Sequence, residues 1–333
     1  MKQLAVIGAG SWGTALSIVA ARAGHDVRIW ARSRRIVEAI NRNHLNCVYL
    51  PDVPIPDQVA ASTEFDEALD GAGLVILAAP SHATRELLEM MGPALHSEMT
   101  LVSATKGIEI ATGKRMSEVA RDVVGNELAS KFVCLSGPSF AREVIAGHPT
   151  AIVAASLDSN SSSVVQSTLS FENLRLYTND DLAGTELGGS VKNIMAIAAG
   201  IVAGLGFGSN SIAALVTRGL AETTRLALKA GGRVETLMGL AGLGDLVLTC
   251  TGNLSRNRFV GQELGRGQSL TDIMAGMTEV AEGVNTTQAV RRLAARMNVE
   301  MPITEEVYQV LYEGKAPRDA AAELMNRPLR GEW

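Results

Sequence analysis

The sequence of 333 residues has little of what several protein classes require. Lysine and arginine (30) are outnumbered by aspartate and glutamate (35), and the net charge is −5. A nucleic-acid-binding protein needs a basic surface, so this class is not expected. The three cysteines, Cys47, Cys134 and Cys250, are odd in number and far apart. They argue against a disulfide framework and favour a reducing cytoplasm.

Long uncharged runs and clustered histidines are also missing. The longest uncharged apolar run, 194–208, is shorter than the roughly 20 residues that span a bilayer. The N-terminus, "MKQLAVIGAGSWGTA", lacks the features of a signal peptide. We therefore expect no membrane insertion and a cytoplasmic location. The five histidines are scattered, with no i, i+4 pair and no cysteine at metal-ligand spacing, so we expect no metal and no histidine base.

The apolar pattern changes near residue 180. Before it, short apolar runs alternate with helical patterns, which is typical of a parallel sheet with helices on both faces. The runs are 4–7, 27–30, 74–79, 101–104, 133–135, 151–154 and 174–177. The helical patterns that follow are 190–203, 210–230, 233–240, 255–265, 269–276, 285–297, 304–313 and 317–325. We predict an α/β domain over 1–183 and an all-helical domain over 184–333, with ligands expected in the cleft between them.

A glycine-rich turn follows the first predicted strand. Gly8, Gly10 and Gly13 form the pattern G-x-G-x-x-G before the first helix. In such a turn the first glycine permits a tight bend, the second lets backbone approach a pyrophosphate, and the third lets the helix pack on the strand. The pattern predicts dinucleotide binding. The alternative is a tight strand–helix turn without a ligand.

The turn after the second predicted strand bears on the choice of dinucleotide. No acidic residue occurs between Asp26 and Glu38, where an NAD site places one for the ribose 2′-hydroxyl. Arg32, Arg34 and Arg35 lie there instead, and guanidinium groups pair well with a 2′-phosphate. We therefore expect NADPH as the preferred cofactor with NADH tolerated, and favour Arg32, the first after the strand. A solvated turn is the alternative.

Two later predicted strands also end in candidate ligand groups. Lys106 follows one strand in "ATKG", and Gly137, Ser139 and Ala141 follow the next in "LSGPSFARE". In an open α/β sheet, ligands bind beyond the carboxyl ends of the strands. A lysine there can reach a cofactor or a substrate anion. A surface lysine and an ordinary Gly-Pro loop are the alternatives.

The helical half contains a candidate anion site in "GLGDLVLTCTGNLSRNRFVG". Asp245 follows a glycine-rich turn, and Ser255 is placed as the N-cap of a helix that begins with Arg256 and Asn257. Basic residues are unfavourable at a helix N-terminus unless an anion is present. The pattern therefore predicts a bound phosphate. Exposed arginines behind an ordinary serine cap are the alternative.

Lys192 is placed at the head of a segment that is otherwise apolar and glycine-rich. Hydride transfer to a ketone needs a proton carrier, and a desolvated lysine can serve. Burial, and Lys106 if nearby, would lower its pKa, whereas Asp245 would orient the ammonium and raise the pKa again. Gly188 and Gly189, one turn earlier, would leave room for a ligand. A lysine that reaches out to solvent is the alternative.

Over nearly its whole length the sequence resembles the bacterial-type NAD(P)-dependent glycerol-3-phosphate dehydrogenases. The stretches that carry the resemblance are "IGAGSWGTAL", "YLPDV", "ATKG", "LSGPSFA", "ELGGSVKNIMAIAAG", "GFGSNSIAALVTRGLAE", "GLGDLVLTCT", "SRNR", "VAEGVNT" and "MPITEEVYQVLY". The resemblance implies a Rossmann-type domain followed by a helical domain of the 6-phosphogluconate dehydrogenase C-terminal type. It also implies reduction of dihydroxyacetone phosphate to sn-glycerol 3-phosphate for phospholipid synthesis.

The resemblance further implies roles for individual residues, with Lys192 as the proton donor and acceptor. The implied substrate contacts are Lys106, Gly137, Ser139, Lys192, Asp245, Ser255, Arg256 and Asn257. The implied cofactor contacts, besides the three glycines, are Ser11, Trp12, Arg32, Tyr49, Lys106, Ala141, Arg256, Val280 and Glu282. The alternatives are a ketopantoate-type reductase and a non-catalytic NADP(H)-binding regulator. We also expect a homodimer formed through the apolar helices of the helical domain.

Overall fold

The computed structural model describes residues 2–277, 281–329 and 331–332. The chain divides into two compact units. The first unit comprises Met1–Lys106 and Lys114–Glu186, and the second comprises Gly107–Gly113 and Leu187–Trp333. The predicted domain ranges stay a prediction, because compact units in one structure do not by themselves define domains that fold independently.

An eight-stranded sheet forms the centre of the first unit. Its strands are β1 (Gln3–Ile7), β2 (Asp26–Trp30), β5 (Val59–Ser62), β6 (Leu74–Leu77), β7 (Thr100–Ser103), β8 (Val133–Ser136), β9 (Thr150–Ala155) and β10 (Leu174–Asn179). The strand order is β10-β9-β8-β7-β6-β1-β2-β5. All neighbours are parallel except β8 and β9, which are antiparallel. A separate two-stranded hairpin consists of β3 (Leu45–Asn46) and β4 (Leu50–Pro54).

The α/β prediction is confirmed, with three differences. The sheet is not wholly parallel, because β9 runs against β8. The edge strand β5 was not predicted, since its sequence Val-Ala-Ala-Ser is short and only weakly typical of a strand. The β3–β4 hairpin was also missed because two prolines, Pro51 and Pro54, interrupt its pattern.

Seven α-helices lie among the described residues of the first unit. They are α1 (Ser11–Arg22), α2 (Arg34–Asn43), α3 (Phe65–Leu69), α4 (Thr84–Met91), α5 (Met116–Ala129), α6 (Ala141–Ile145) and α7 (Ser159–Leu169). Helix α1 is buried along most of its length and packs in the same apolar core as β1 and β2. Burying one such aliphatic side chain contributes about 1.5–3 kcal/mol, so the core fixes the turn between β1 and α1.

Helix α8 (Leu182–Gly204) is longer than its sequence pattern suggested, and the division between the units falls within it. The carboxylate of Asp181 accepts a hydrogen bond from the Gly184 N–H (2.8 Å) and so caps the helix N-terminus. By length and composition α8 could cross a membrane, but 83% of its most apolar window is buried inside the protein. The apolar face of α8 is therefore used for internal packing.

The remaining helices belong to the second unit and confirm its all-helical prediction. They are α9 (Ser209–Lys229), α10 (Val234–Met238), α11 (Asp245–Thr251), α12 (Arg256–Gly265), α13 (Leu270–Ala275), α14 (Glu282–Met297), α15 (Pro302–Tyr312) and α16 (Pro317–Met325). A π-helical turn spans Leu240–Gly244. Helices α8 and α12 pack closely, because a Cβ on Gly261 would lie 1.9 Å from the Ile197 carbonyl oxygen.

Candidate active site

A buried ion pair lies within the second unit. Lys192 is 7% exposed and Asp245 is fully buried. The Lys192 Nζ forms a short hydrogen bond to Asp245 Oδ1 and a second one, of 3.0 Å, to Thr249 Oγ1. The Thr249 hydroxyl donates to the Asp245 carbonyl oxygen at 2.6 Å. We call Lys192, Asp245 and Thr249 the lysine centre.

Two helices and the π-helical turn hold the lysine centre. Lys192 lies within α8 and not at its head, which corrects the sequence interpretation. Asp245 is the first residue of α11, and Thr249 lies one turn later on the same helix. Helix α11 was not predicted, because the glycines before Asp245 indicated only a turn. A carboxylate in the first helical turn is favoured by the helix dipole.

Gly188 brings these elements together but does not leave room for a ligand, contrary to expectation. A Cβ on Gly188 would lie 2.6 Å from the Ala241 carbonyl oxygen, so α8 and the π-helical turn touch there. The small space beside Lys192, lined in part by Gly188 and Thr223, is too small for a water molecule. Close helix packing therefore explains this glycine, and it closes this side of the lysine centre to water.

The electrostatics of the lysine centre combine two opposing effects. Burial disfavours the charged ammonium, whereas the Asp245 carboxylate favours it. Cys250, which follows Thr249, is also buried, and burial raises the pKa of its thiol to about 12. At neutral pH this thiol is therefore protonated, and the ionisable pair available for proton transfer is Lys192 with Asp245.

The predicted phosphate turn has the expected helix cap. The Ser255 hydroxyl accepts a hydrogen bond from the Arg258 N–H (3.2 Å) and caps α12, as predicted. Arg256 is exposed at the first helical position. Asn257 is buried, with its amide donating to Asn193 Oδ1 (3.0 Å) and accepting from the Gly283 N–H (2.9 Å). This amide therefore connects α12 to α8 and α14.

The turn between β1 and α1, here called the dinucleotide loop (Gly8–Gly13), has the geometry that its sequence pattern requires. Gly8 has a φ of +114°, in the region that favours glycine. A Cβ on Gly13 would lie 1.9 Å from the Gly8 carbonyl oxygen, so only glycine lets α1 approach β1. A Cβ on Gly10 would meet nothing within 4 Å, which leaves space for a ligand above the loop.

The arginines after β2 are all exposed. Arg32 follows the strand directly, and Arg34 and Arg35 form the first turn of α2, which contains no acidic residue. Within the described residues, the side chains of Arg32 and Arg34 form no hydrogen bond or ion pair. A helix that begins with two arginines is unfavourable without an anion, so this turn suits a phosphate group.

The candidates beyond β7 and β8 contact each other. The Lys106 ammonium donates to the Gly137 carbonyl oxygen at 2.9 Å, and the Ser139 hydroxyl donates to the same oxygen at 2.9 Å. Ala141 begins α6 and packs against the core of the first unit. The structure thus brings Lys106 from one predicted loop together with Gly137 and Ser139 from the next.

Other predicted cofactor residues are distributed over both units. Ser11 and Trp12 begin α1, and Trp12 and Tyr49 both pack, half-buried, against the core of the first unit. Glu282 is the first residue of α14, not a residue before it. Val280 lies outside the described residues. The ligand contacts of all predicted site residues stay predictions.

Two residues of the site were missed by sequence reasoning. Thr249 contacts Lys192, and Asn193 contacts Asn257. A helix predicted from Asp245 onward would have placed Thr249 four residues later on the same face. No sequence pattern pointed to Asn193.

In the part of the chain that the structure describes, no group of three or more His, Cys, Asp or Glu residues is arranged to hold a metal ion. The absence of a metal stays a prediction.

The chain is similar to known proteins over its whole length. Family models described as the N-terminus and the C-terminus of NAD-dependent glycerol-3-phosphate dehydrogenase match residues 3–162 and 181–322. A relative from Koribacter versatilis, "Glycerol-3-phosphate dehydrogenase [NAD(P)+]", is 53% identical over 100% of this chain and 99% of its own. These matches cover both units.

Solved structures agree with this result. The crystal structure of glycerol-3-phosphate dehydrogenase from Coxiella burnetii aligns with a TM-score of 0.94 at 41% identity, covering 98% of this chain and 99% of that one. A ketopantoate reductase from Ralstonia eutropha aligns with a TM-score of 0.60 at 16% identity, covering 96% and 99%, and shares the fold alone. The chain therefore belongs to the NAD-dependent glycerol-3-phosphate dehydrogenase family.

Proposed function

We propose that this chain catalyses the reversible NAD(P)H-dependent reduction of dihydroxyacetone phosphate to sn-glycerol 3-phosphate, and that the product supplies glycerophospholipid synthesis. The observation that carries the proposal is the buried lysine centre in a chain of this family. A buried ammonium held by a carboxylate and a hydroxyl is a positioned proton carrier. Carbonyl reduction needs one such carrier.

The first unit offers the groups that a dinucleotide needs. The space above Gly10 and the N-terminus of α1 suit a pyrophosphate. Arg32 and Arg34, both exposed, suit a 2′-phosphate, which supports NADPH as the preferred cofactor with NADH also accepted. When bound, the reduced nicotinamide supplies hydride to the carbonyl carbon. Tyr49, Ser11 and Trp12 stay proposed neighbours of the dinucleotide.

Lys192 balances the charge that hydride addition creates. As the carbonyl carbon gains hydride, the carbonyl oxygen gains negative charge, and the Lys192 ammonium donates a proton to it. Asp245 and Thr249 hold the Nζ in place. Lysine is then reprotonated from solvent. In the reverse direction the neutral amine accepts the hydroxyl proton.

The substrate phosphate is proposed to bind at the start of α12. Ser255 and Asn257 are buried and fix this turn, and Arg256 projects from it with an exposed side chain. An arginine at a helix N-terminus binds a phosphate with both a fixed charge and free N–H groups. Lys106, with its carbonyl partner Gly137, is proposed as a further contact for substrate or cofactor.

The direct test is spectrophotometric. Purified protein is mixed with dihydroxyacetone phosphate and NADPH or NADH, and loss of absorbance of the reduced cofactor is followed. We expect turnover with both, faster with NADPH. Ketopantoate, which carries a carboxylate instead of a phosphate, serves as the control substrate. Turnover with ketopantoate alone would contradict the proposal, and cofactor binding without any turnover would indicate a regulator.

We further propose a cytoplasmic homodimer formed through the second unit. Exposed apolar side chains occur there on α10 to α11, including Met238, Leu243 and Val247, which are 67%, 38% and 42% exposed. Leu243 lies in the π-helical turn, and Val247 lies in the helix α11 that follows it directly. Light scattering on the purified protein should give twice the chain mass, and Val247→Glu should give the single mass. A monomeric wild type would contradict the dimer.

A further inference from the structure

We propose that Asn46 is a positioning residue that orients the dinucleotide loop for its ligand. The inference rests on the proposed cofactor binding. Asn46 is fully buried at the end of β3 and was not a candidate in the sequence. Its side-chain hydrogen bonds go to Ala9, Thr14, Val48 and Tyr49, and so to other residues than the lysine centre and the exposed arginines.

All four hydrogen-bonding positions of the Asn46 side-chain amide are used. Its Nδ2 donates to the Ala9 carbonyl oxygen and to Thr14 Oγ1, both at 2.9 Å. Its Oδ1 accepts from the N–H groups of Val48 (3.3 Å) and Tyr49 (3.1 Å). The partners fix which end of the amide is which, because backbone N–H groups only donate and carbonyl oxygens only accept.

The bond to Ala9 sets the direction of a peptide group in the dinucleotide loop. A trans peptide places its C=O and N–H on opposite sides. With the Ala9 carbonyl held toward Asn46, the Gly10 N–H points the other way. The space beside the Gly10 Cα is open, since a Cβ on Gly10 would meet no atom within 4 Å. Asn46 thus turns the Gly10 N–H, a hydrogen-bond donor, toward the proposed pyrophosphate. It holds the Ala9 carbonyl oxygen, which would repel the pyrophosphate, on the other side.

The same amide also fixes the β3–β4 hairpin on the dinucleotide loop. Its oxygen caps the turn that carries Tyr49, a proposed neighbour of the dinucleotide. At the far side of the hairpin, Asp52 forms an ion pair of 2.9 Å with Arg142 on α6. That pair is half-exposed and contributes little to stability. The buried amide of Asn46 is therefore the stronger of the two anchors.

The test compares two substitutions that remove different bonds. Asn46→Asp keeps an acceptor for Val48 and Tyr49 but loses the donor to Ala9 and adds negative charge beside the loop. Asn46→Ala loses every bond but adds no charge. The dissociation constant of NADPH is measured by fluorescence titration below the melting temperature, together with kcat at saturating NADPH.

We expect both substitutions to weaken NADPH binding, Asn46→Asp by tenfold or more and Asn46→Ala by less, with kcat changed by less than about threefold. Asn41→Asp is the matched control, because the Asn41 amide also binds backbone, at Ala61, but does not contact the loop. We expect its NADPH affinity to be that of the wild type.

Two results would overturn the inference. One is NADPH binding by Asn46→Asp equal to that of the wild type. The other is a larger loss in Asn46→Ala than in Asn46→Asp, which would assign the amide to the hairpin turn alone. A wild type that binds no NADPH would instead refute the proposed function. Should Asn46→Asp fail to fold, Asn46→Ala decides by its affinity relative to the control.

Discussion

The dinucleotide loop and the lysine centre are built from different chemical groups. The loop presents backbone, and its glycines leave open space above Gly10 while α1 packs tightly beneath it. The lysine centre presents side chains, and its charges are buried and paired with each other. Backbone sites depend on local conformation and so leave a local sequence pattern. Side-chain sites depend on residues that are distant in the sequence, here 53 positions apart.

Because they differ in this way, the two regions should respond differently to substitution. Substitutions in the loop should change ligand affinity and packing together, because the same backbone does both. Substitutions in the lysine centre should change the rate of proton transfer while leaving the dinucleotide bound. Three experiments test this separation, and a fourth tests a buried carboxyl outside both regions, from the largest expected effect to the smallest.

Lys192→Ala should have the largest effect. Loss of a general acid lowers kcat by about 10²–10⁴-fold, and we expect the dissociation constant of NADPH to stay within about twofold of the wild type. Stopped-flow turnover and fluorescence titration measure the two quantities. Because the substitution leaves Asp245 buried without its partner, Lys192→Arg is made as well. Arginine keeps the charge but does not release its proton, so near-normal turnover in either variant would refute the role.

Gly13→Ala should affect the dinucleotide loop. The new Cβ would lie 1.9 Å from the Gly8 carbonyl oxygen, so the loop or α1 must shift, at a cost of about 1–3 kcal/mol in stability. We expect both a lower melting temperature and a large rise in the dissociation constant of NADPH. Gly92→Ala is the control, since its Cβ would meet nothing within 4 Å. If Gly13→Ala bound NADPH normally, the loop would not be the dinucleotide site.

Thr249→Val tests one of the two site residues that sequence reasoning missed. Valine keeps the shape but removes the hydroxyl that accepts from Lys192 and donates to the Asp245 carbonyl. Loss of such a bond costs roughly 1–3 kcal/mol, and we expect kcat to fall about tenfold without a change in NADPH affinity. Thr249→Ser should restore most of the rate. Equal kcat in all three proteins would show that the hydroxyl only supports packing.

The smallest effect concerns how the folding stability of the protein depends on pH. Glu222 on α9 accepts hydrogen bonds from the N–H groups of Ile303 and Thr304 at the start of α15. Burial is the main effect on its carboxyl and raises its pKa above the usual value of 4.5. Folding therefore favours the protonated form. The stability that the protonated Glu222 carboxyl contributes is present below pH 4.5 and is lost as pH rises through the raised pKa of the folded state.

Glu222→Gln removes this titration. The melting temperature of the variant should therefore rise relative to that of the wild type as the pH is raised from 4.5 toward 7. Melting curves of both proteins across this range provide the measurement. Glu186, another buried carboxyl with a raised pKa, is present in both proteins and cancels in the difference. A difference that does not vary with pH would contradict the assignment.

Several features were predictable because they depend on neighbouring residues. The strand–glycine–helix order at the N-terminus, the change to helices near residue 180 and the Ser255 cap of α12 all follow local patterns. The helix that begins at Asp245 was missed, since glycines at 239, 242 and 244 obscured it. The β3–β4 hairpin was missed for a similar reason, and with it the role of Asn46.

By itself, the sequence determined the order of strands and helices, the positions of the backbone turns and the resemblance to a family. These follow from local spacing, because a turn or a cap involves residues only a few positions apart. Only the tertiary structure decided that Lys192 is buried against Asp245 and Thr249, that Gly188 serves packing, and that Asn46 supports the dinucleotide loop. The reason is that burial and hydrogen bonding between distant residues arise only when the helices and strands pack together.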